Sequence, residues 1–298
     1  MTQALIGILG GSGLYQMDAL QNAREHLVST PFGAPSDVLV TGQVHGQSVV
    51  FLARHARGHR LLPSEVPYRA NIYAMKQLGV RYLLSVSAVG SLREEFKPLD
   101  LVLPDQFIDL TRQRASTFFG QGAVAHVSMA QPVCAATGRV VARAVDTILA
   151  ADAKRAGASN PPGITLHTSA TYVCIEGPQF SSRAESMWYR SMGAGVIGMT
   201  NMPEAKLARE AQMAYTTLAM VTDYDCWHPR EAHVNADMAL ANLMQNADRA
   251  QRVVAQAIRL LGAEQPASEA HTALQNALVT QPEAMAPDVR ERLAALLK

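Results

Sequence analysis

Two aspartates, Asp223 and Asp225, stand one residue apart at the end of an apolar run, AYTTLAMVTDYDCWHP, residues 214–229. If the strand continues through them, both carboxylates face one side, with Cα atoms about 6.5–7 Å apart. Two carboxylates that close in an apolar pocket repel, and one keeps its proton. The pair then offers a hydrogen-bond donor beside an acceptor. The Hoogsteen edge of adenine is the complement, an N7 acceptor next to an N6 amino donor. Metal binding and glycosidase-type acid–base work are the other uses of an acid pair, although no further carboxylates cluster nearby to support a metal. In isolation the pair also reads as two solvated acids in a loop.

Four other stretches suit an anion, and each sits where a strand ends. ARHARGHR (53–60) crowds Arg54, His55, Arg57, His59 and Arg60 at the exit of an apolar run. Arginine forks and histidine donors fit an oxyanion such as phosphate. The i,i+4 histidines lack an acid and sit among arginines, which argues against a metal. GILGGSG (7–13) matches neither dinucleotide nor P-loop spacing, but its small residues expose backbone N–H groups and the Ser12 hydroxyl. SVSAVGS (85–91) brings Ser87, and IGMTNMPEAKLA (197–208) brings Thr200 just ahead of a helix start. Singly, each is also a turn or a cap. Together they suggest one shared phosphate pocket.

The elements that must position these groups alternate between strand and helix. ALIGILGG reads as a strand, DVLVTGQVHGQSVVFLARH as a hairpin around Gly46, and VPYRANIYAMKQLG as a helix between Pro67 and Gly79. VRYLLSVSAVGS and LDLVLPDQFID are strand-like. A helix near 135–153 leads to ITLHTSATYVCIEGP, read as one long strand. SSRAESMWYRSMGA follows as a helix opened by Ser and closed by Gly193, then strand GVIGM, a helix with Pro203 near its start, strand AYTTLAMVT, and a long helix over about 235–261. This alternation predicts an α/β fold, a largely parallel or mixed sheet between helices, with ligands gathering at strand ends. GAEQPASEA (262–270) is the one convincing linker, leading to a C-terminal helical tail.

Composition narrows the partners. The chain has 298 residues, 48% hydrophobic and 17% charged, enough for a sizeable core, and a net charge of +1 that advertises neither nucleic acid nor a membrane surface. Cys134, Cys174 and Cys226 form no C-x-x-C pair and read as small thiols of a reduced compartment. No basic residue precedes the first apolar stretch, so a secretory signal is not expected. No uncharged apolar run is long enough to span a bilayer. The expectation is a soluble, cytoplasmic protein that takes a small molecule.

GILGGSGLY, TPFGAPSD, LARHARGHR, ANIYAMKQLG, SAVGSLREE, DQFID, IEGPQFSSRAES, GMTNMPEAKLARE and MVTDYDCWHP occur in order between about residues 5 and 260. Together they resemble the 5′-methylthioadenosine phosphorylases of the trimeric purine nucleoside phosphorylase superfamily. The resemblance implies one α/β/α domain around a mixed, partly closed sheet over residues 1–261, with 262–298 as linker and tail. It implies a homotrimer that splits methylthioadenosine with phosphate and uses no cofactor or metal. Carried over position by position, Ser12, Arg54, His55, Ser87, Ala88 and Thr200 would hold phosphate. Phe180 would stack near the purine, Met199 would lie against the ribose, and Asp223 and Asp225 would grip the base. His126 resembles a residue that a neighbouring subunit extends over the 5′ end of the sugar. Relatives acting on 6-oxopurines such as methylthioinosine or inosine usually carry Asn at the Asp223 position and Glu at the Ser181 position. Ser12 and Ser87 replace commoner threonines and keep the hydroxyl. Ala236 and Ala239 stand where the mammalian enzymes look bulkier, which bears on the 5′ pocket. A catalytically silent purine or anion binder is the reading from another class, and it should have lost part of the phosphate set.

Overall fold

The computed structural model describes residues 5–11, 17–155, 163–230 and 235–298, apart from the side chains of Ala236 and Met238. Its centre is a mixed sheet built on period-two burial. Along β1 (Ile6–Gly10), Ile6 and Ile8 enter one core while Leu9 enters the other. After the edge strand β2 (Gln21–His26) come β3 (Leu39–Val44) and β4 (Gln47–Ala53). These two form the expected hairpin, turned by His45 and Gly46 at φ +49° and +75°. Helix α1 (Tyr68–Gln77) starts after Pro67 and stops before Gly79, whose φ of +89° suits glycine.

The sheet forks at β5 (Tyr82–Ser91), which pairs in parallel with β1 along its first half. Next in the chain are β6 (Leu101–Val102), β7 (Gln106–Asp109), α2 (Ala135–Arg155), β8 (Leu166–His167) and β9 (Thr171–Cys174). Helix α3 (Arg183–Ser191) is opened by a serine as expected, and Ser182 and Glu185 form a reciprocal capping box there. β10 (Val196–Gly198), α4 (Asn201–Glu210), β11 (Ala214–Asp223) and α5 (Ala236–Glu264) complete the set around the site. In one branch β11 pairs in parallel with β5, β6 pairs antiparallel with β11, and β8 pairs in parallel with β6. In the other, Gly90 and Ser91 turn to pair antiparallel with β10, which leads to β9 and β7. Helices α1 and α4 cover one side of the sheet, and α2 and α5 pack together on the other. This is the expected α/β class with a mixed sheet.

Two element readings are corrected. The stretch expected as one long strand changes partners midway. β8 pairs with β6, whereas β9 pairs with β7 and β10, so the chain breaks between them to serve both branches. At the other end, α5 runs through Glu264 into the expected linker. Beyond it a continuous helical tail does not form. Two 3-10 turns (Glu269–Thr272 and Pro282–Ala284) precede a short helix α6 (Pro287–Leu293). Leu274, Met285, Val289, Leu293 and Leu296 are buried in the same core as Tyr73 and Phe118. All three cysteines are free, and among the described residues no helix is long and apolar enough to cross a membrane.

Candidate active site

Where β5 parts from β1, a cleft of about 520 Å³ opens among the ends of β1, β4, β5, β10 and β11, closed on one flank by α5. Ligands gather at such points because strands that separate leave backbone and side-chain groups converging on a gap.

Asp223 and Asp225 occupy one end of it, and both are buried. They are not a plain strand pair. Asp223 is the last residue of β11, just after a register shift against β5. Asp225 lies in the following turn with φ +51°, and its N–H donates to Asp223 Oδ1 at 2.8 Å. The turn, not the pleat, brings the two acids together. Thr222 Oγ1 donates to Asp223 Oδ2 at 2.7 Å. Burial nevertheless outweighs these bonds and, with some help from the charge of Asp225, pushes Asp223 up to about 6. Burial raises Asp225 as well. The loop is pinned by Trp227, whose Nε1 donates to Ser91 O at 2.8 Å. Ser181 lines the same end, and its Oγ is buried with no hydrogen-bond partner.

Further back along β5, at Ser87, the lining turns polar in a different way. Ser87 Oγ and Thr200 Oγ1 lie 3.4 Å apart. Thr200 caps α4 by position but makes no side-chain cap bond, so its hydroxyl is not spent on the helix. Arg54 is fully buried, and its guanidinium is held bidentate by Glu204 at 2.7 and 3.2 Å. Ser85 Oγ and the carbonyls of Val86 and Leu9 take further N–H groups. Of five N–H groups, one on Nη1 has no partner among the described residues. Arg54 thus keeps a single unpartnered donor within an ion pair rather than an open fork.

His55 lines the same cleft. Burial and the Arg54 charge lower the pKa of the imidazole to about 4. Its Nδ1 lies 2.9 Å from Leu61 O, and a carbonyl can only accept, so Nδ1 carries the proton and Nε2 keeps a lone pair. His59 stacks on His55 with ring centroids 4.4 Å apart and lines the cleft. Arg57 turns away to Asp37 and Glu25 at the surface, so the basic run divides between pocket and solvent.

Between the two ends the wall is apolar, with Met199, Met220, Ala239, Leu240 and Leu243, and Phe180 stands 45% exposed at the mouth. Ala88 lines the cleft beside Ser87. Ser12 lies outside the described residues, as does the side chain of Ala236, the first residue of α5. His126 is exposed in the segment before α2 and does not line the cleft of its own chain. Among the described residues no three His, Cys, Asp or Glu side chains are grouped to hold a metal ion.

A sequence model of the phosphorylase superfamily matches residues 5–259. The chain belongs to the phosphorylase superfamily. It is 55% identical to an S-methyl-5′-thioadenosine phosphorylase of Synechocystis, over 100% of this chain and 88% of that one. The crystal structure of a methylthioadenosine phosphorylase from an Antarctic soil metagenomic library superposes with a TM-score of 0.93 at 61% identity, covering 100% of both chains. A mutant adenosine/methylthioadenosine phosphorylase of Schistosoma mansoni, crystallised with methylthioadenosine, gives a TM-score of 0.79 at 36% identity, over 88% of this chain and 93% of that one.

Within this phosphorylase fold, several residues at the cleft had no mark in the sequence. Glu204 reads as one more charge on an exposed helix face, yet it is 1% exposed and sets the Arg54 fork. Gly90 looks like a strand-end glycine; a methyl there would sit 2.9 Å from Asp223 Oδ1. Only the apolar residues flanking the acids hinted that such charges would be buried.

Proposed function

We propose that this chain cleaves S-methyl-5′-thioadenosine with inorganic phosphate, giving adenine and 5-methylthioribose 1-phosphate. The observation that carries the reading is the cleft itself. A buried acid pair, with pKa values raised by burial, lines the cleft together with the polar group Arg54, Ser87 and Thr200 and an apolar wall. The glycosidic bond breaks with oxocarbenium character, so the purine must leave with negative charge or gain a proton. Protonated Asp223 donates to N7 and stabilises the leaving group more in the transition state than before it. Asp225 accepts from the 6-amino group, and Ser181 Oγ is available to the base. Arg54, Ser87, Thr200 and the backbone at Ala88, with Ser12, hold phosphate below the ribose, where its charge also stabilises the developing cation. With Nε2 unprotonated, His55 accepts a hydrogen bond from a phosphate hydroxyl. Phe180 covers the purine and Met199 meets the ribose.

Phosphate is a co-substrate, and the reaction as read needs no cofactor or metal. The family resemblance supports a soluble, cytoplasmic homotrimer in which His126 serves a neighbour's 5′ site. It also supports a phosphorylase domain over residues 1–261, onto whose core the segment 262–298 packs. The apolar wall favours a methylthio group over a hydroxyl, which would lack a partner there, an unmade bond costing about 1–3 kcal/mol. Ala236, at the start of α5, bears on how long a 5′ group is admitted.

Selectivity at the base tests this reading. Methylthioadenosine should exceed methylthioinosine in kcat/KM by about 10²-fold or more, because the 6-oxo group places an acceptor against the Asp225 acceptor. Equal turnover of the two would contradict it.

A further inference from the structure

Arg114 does not line the cleft, yet its guanidinium grips both walls of it. One wall is the end of β9 and the chain beyond, which carries Phe180 and Ser181. The other is the segment between β10 and α4, which carries Met199 and Thr200. β9 and β10 run paired as far as Cys174 and Gly198, and the last backbone bond between them among the described residues is Ile175 N–H to Gly198 O at 2.9 Å. Beyond that point the sheet ladder no longer fixes their separation.

We propose that Arg114 is a positioning residue that takes over where this ladder stops, setting the spacing of the purine wall from the ribose–phosphate wall. The inference rests on the function proposed above. Nη1 donates to the carbonyls of Met199 and Met202, both at 2.6 Å, and Nη2 donates to Glu176 O at 2.7 Å. Nε donates to Glu176 Oε1 at 3.0 Å, and Glu176 Oε2 in turn accepts the N–H groups of Arg112 and Gln113. The Arg114 side chain is 1% exposed, so water does not substitute for these contacts. A planar guanidinium suits the task because its donors leave in fixed directions towards acceptors on opposite sides. An ammonium on a flexible stem lacks that fixed fork. Met199 and Thr200 then keep a set distance from Phe180 and Ser181. A reacting geometry misplaced by about 1 Å costs on the order of 10²-fold in rate.

The test separates binding of the fragments from their alignment. In full-length Arg114→Lys and Arg114→Ala, the affinities for adenine alone and phosphate alone are measured by calorimetry, beside kcat on methylthioadenosine. Each fragment engages one wall, so both affinities should stay within about threefold of wild type while kcat falls about 10- to 100-fold, less in the lysine variant. If Arg114→Ala does not fold, Arg114→Lys decides, with preserved fragment binding and a kcat at least about threefold lower as the supporting result. An unchanged kcat in the lysine variant overturns the inference. So does a kcat loss matched by equal losses of adenine and phosphate affinity, which marks general loosening of the fold. Wild-type protein is assayed alongside: no phosphate-dependent adenine release from it would sink the functional reading itself, and this inference with it.

Discussion

Asp223 is poised between two protonation states because burial and hydrogen bonding oppose each other on one carboxyl. Two donors favour the anion, and the apolar surroundings favour the acid strongly enough to lift it from 3.8 to about 6. Burial raises Asp225 as well. The Asp223 proton is lost from the free protein as pH rises through about 6, so kcat/KM should show a descending limb there. Asp223→Asn should abolish that limb and lower kcat by about 10²–10⁴-fold, with a much smaller effect on adenine affinity. Wild-type kcat in this variant would contradict the assignment. Stability should move the other way. A carboxyl raised on folding contributes stability that is present below its unfolded value near 3.8 and lost as pH climbs through about 6. Asp223→Asn should therefore raise Tm relative to wild type at about pH 8 and show no such gain near pH 3, in paired thermal melts.

At the level of elements, β5 decides the shape of the site, since one strand serves both branches of the sheet. Its Gly90 lies where β10 and the end of β11 both press in, and a methyl there would approach Asp223 Oδ1 at 2.9 Å and Ile197 Cγ2 at 3.0 Å. Gly90→Ala should displace the acid rather than unfold the strand. The expected result is a fall in kcat/KM of about 10- to 100-fold with little change in phosphate KM; unchanged turnover would show that Asp223 has room to spare. Much of this layer is legible in the sequence. Apolar runs mark β1 and β4, a glycine marks the hairpin at Gly46, and a serine and Gly193 bracket α3. The fork is not legible, because partner choice in a sheet is non-local. Nothing in ITLHTSATYVCIEGP says that β8 and β9 join different branches. The site divides the same way. The acids, the hydroxyls and Arg54 stand out as polar groups at apolar strand ends. Glu204 and Arg114 do not, because a charge on a helix or loop normally faces water. The left-handed backbone at Asp225 is equally hidden, since an aspartate enters that conformation only when the turn around it demands it.

For the molecule as a whole, the C-terminal segment belongs to the core. Met285, Val289, Leu293 and Leu296 are buried against the cluster that holds Phe118 and Tyr73. Each buried side chain of this kind contributes about 1.5–3 kcal/mol, and four of them approach the ~5–15 kcal/mol that stabilise a typical domain. Removing residues 282–298 should therefore leave a chain without a cooperative thermal transition at 37 °C or thereabouts; a truncated chain that melts like the full one would contradict this. The central claim is that the cleft binds phosphate as the attacking nucleophile while the acid pair receives the purine. The most direct test is the initial rate of adenine release from methylthioadenosine as phosphate is raised from zero. The rate should be negligible without phosphate and rise to saturation, with 5-methylthioribose 1-phosphate formed in equal amount to adenine. Adenine released at full rate in phosphate-free buffer, with free methylthioribose as the second product, would contradict the account.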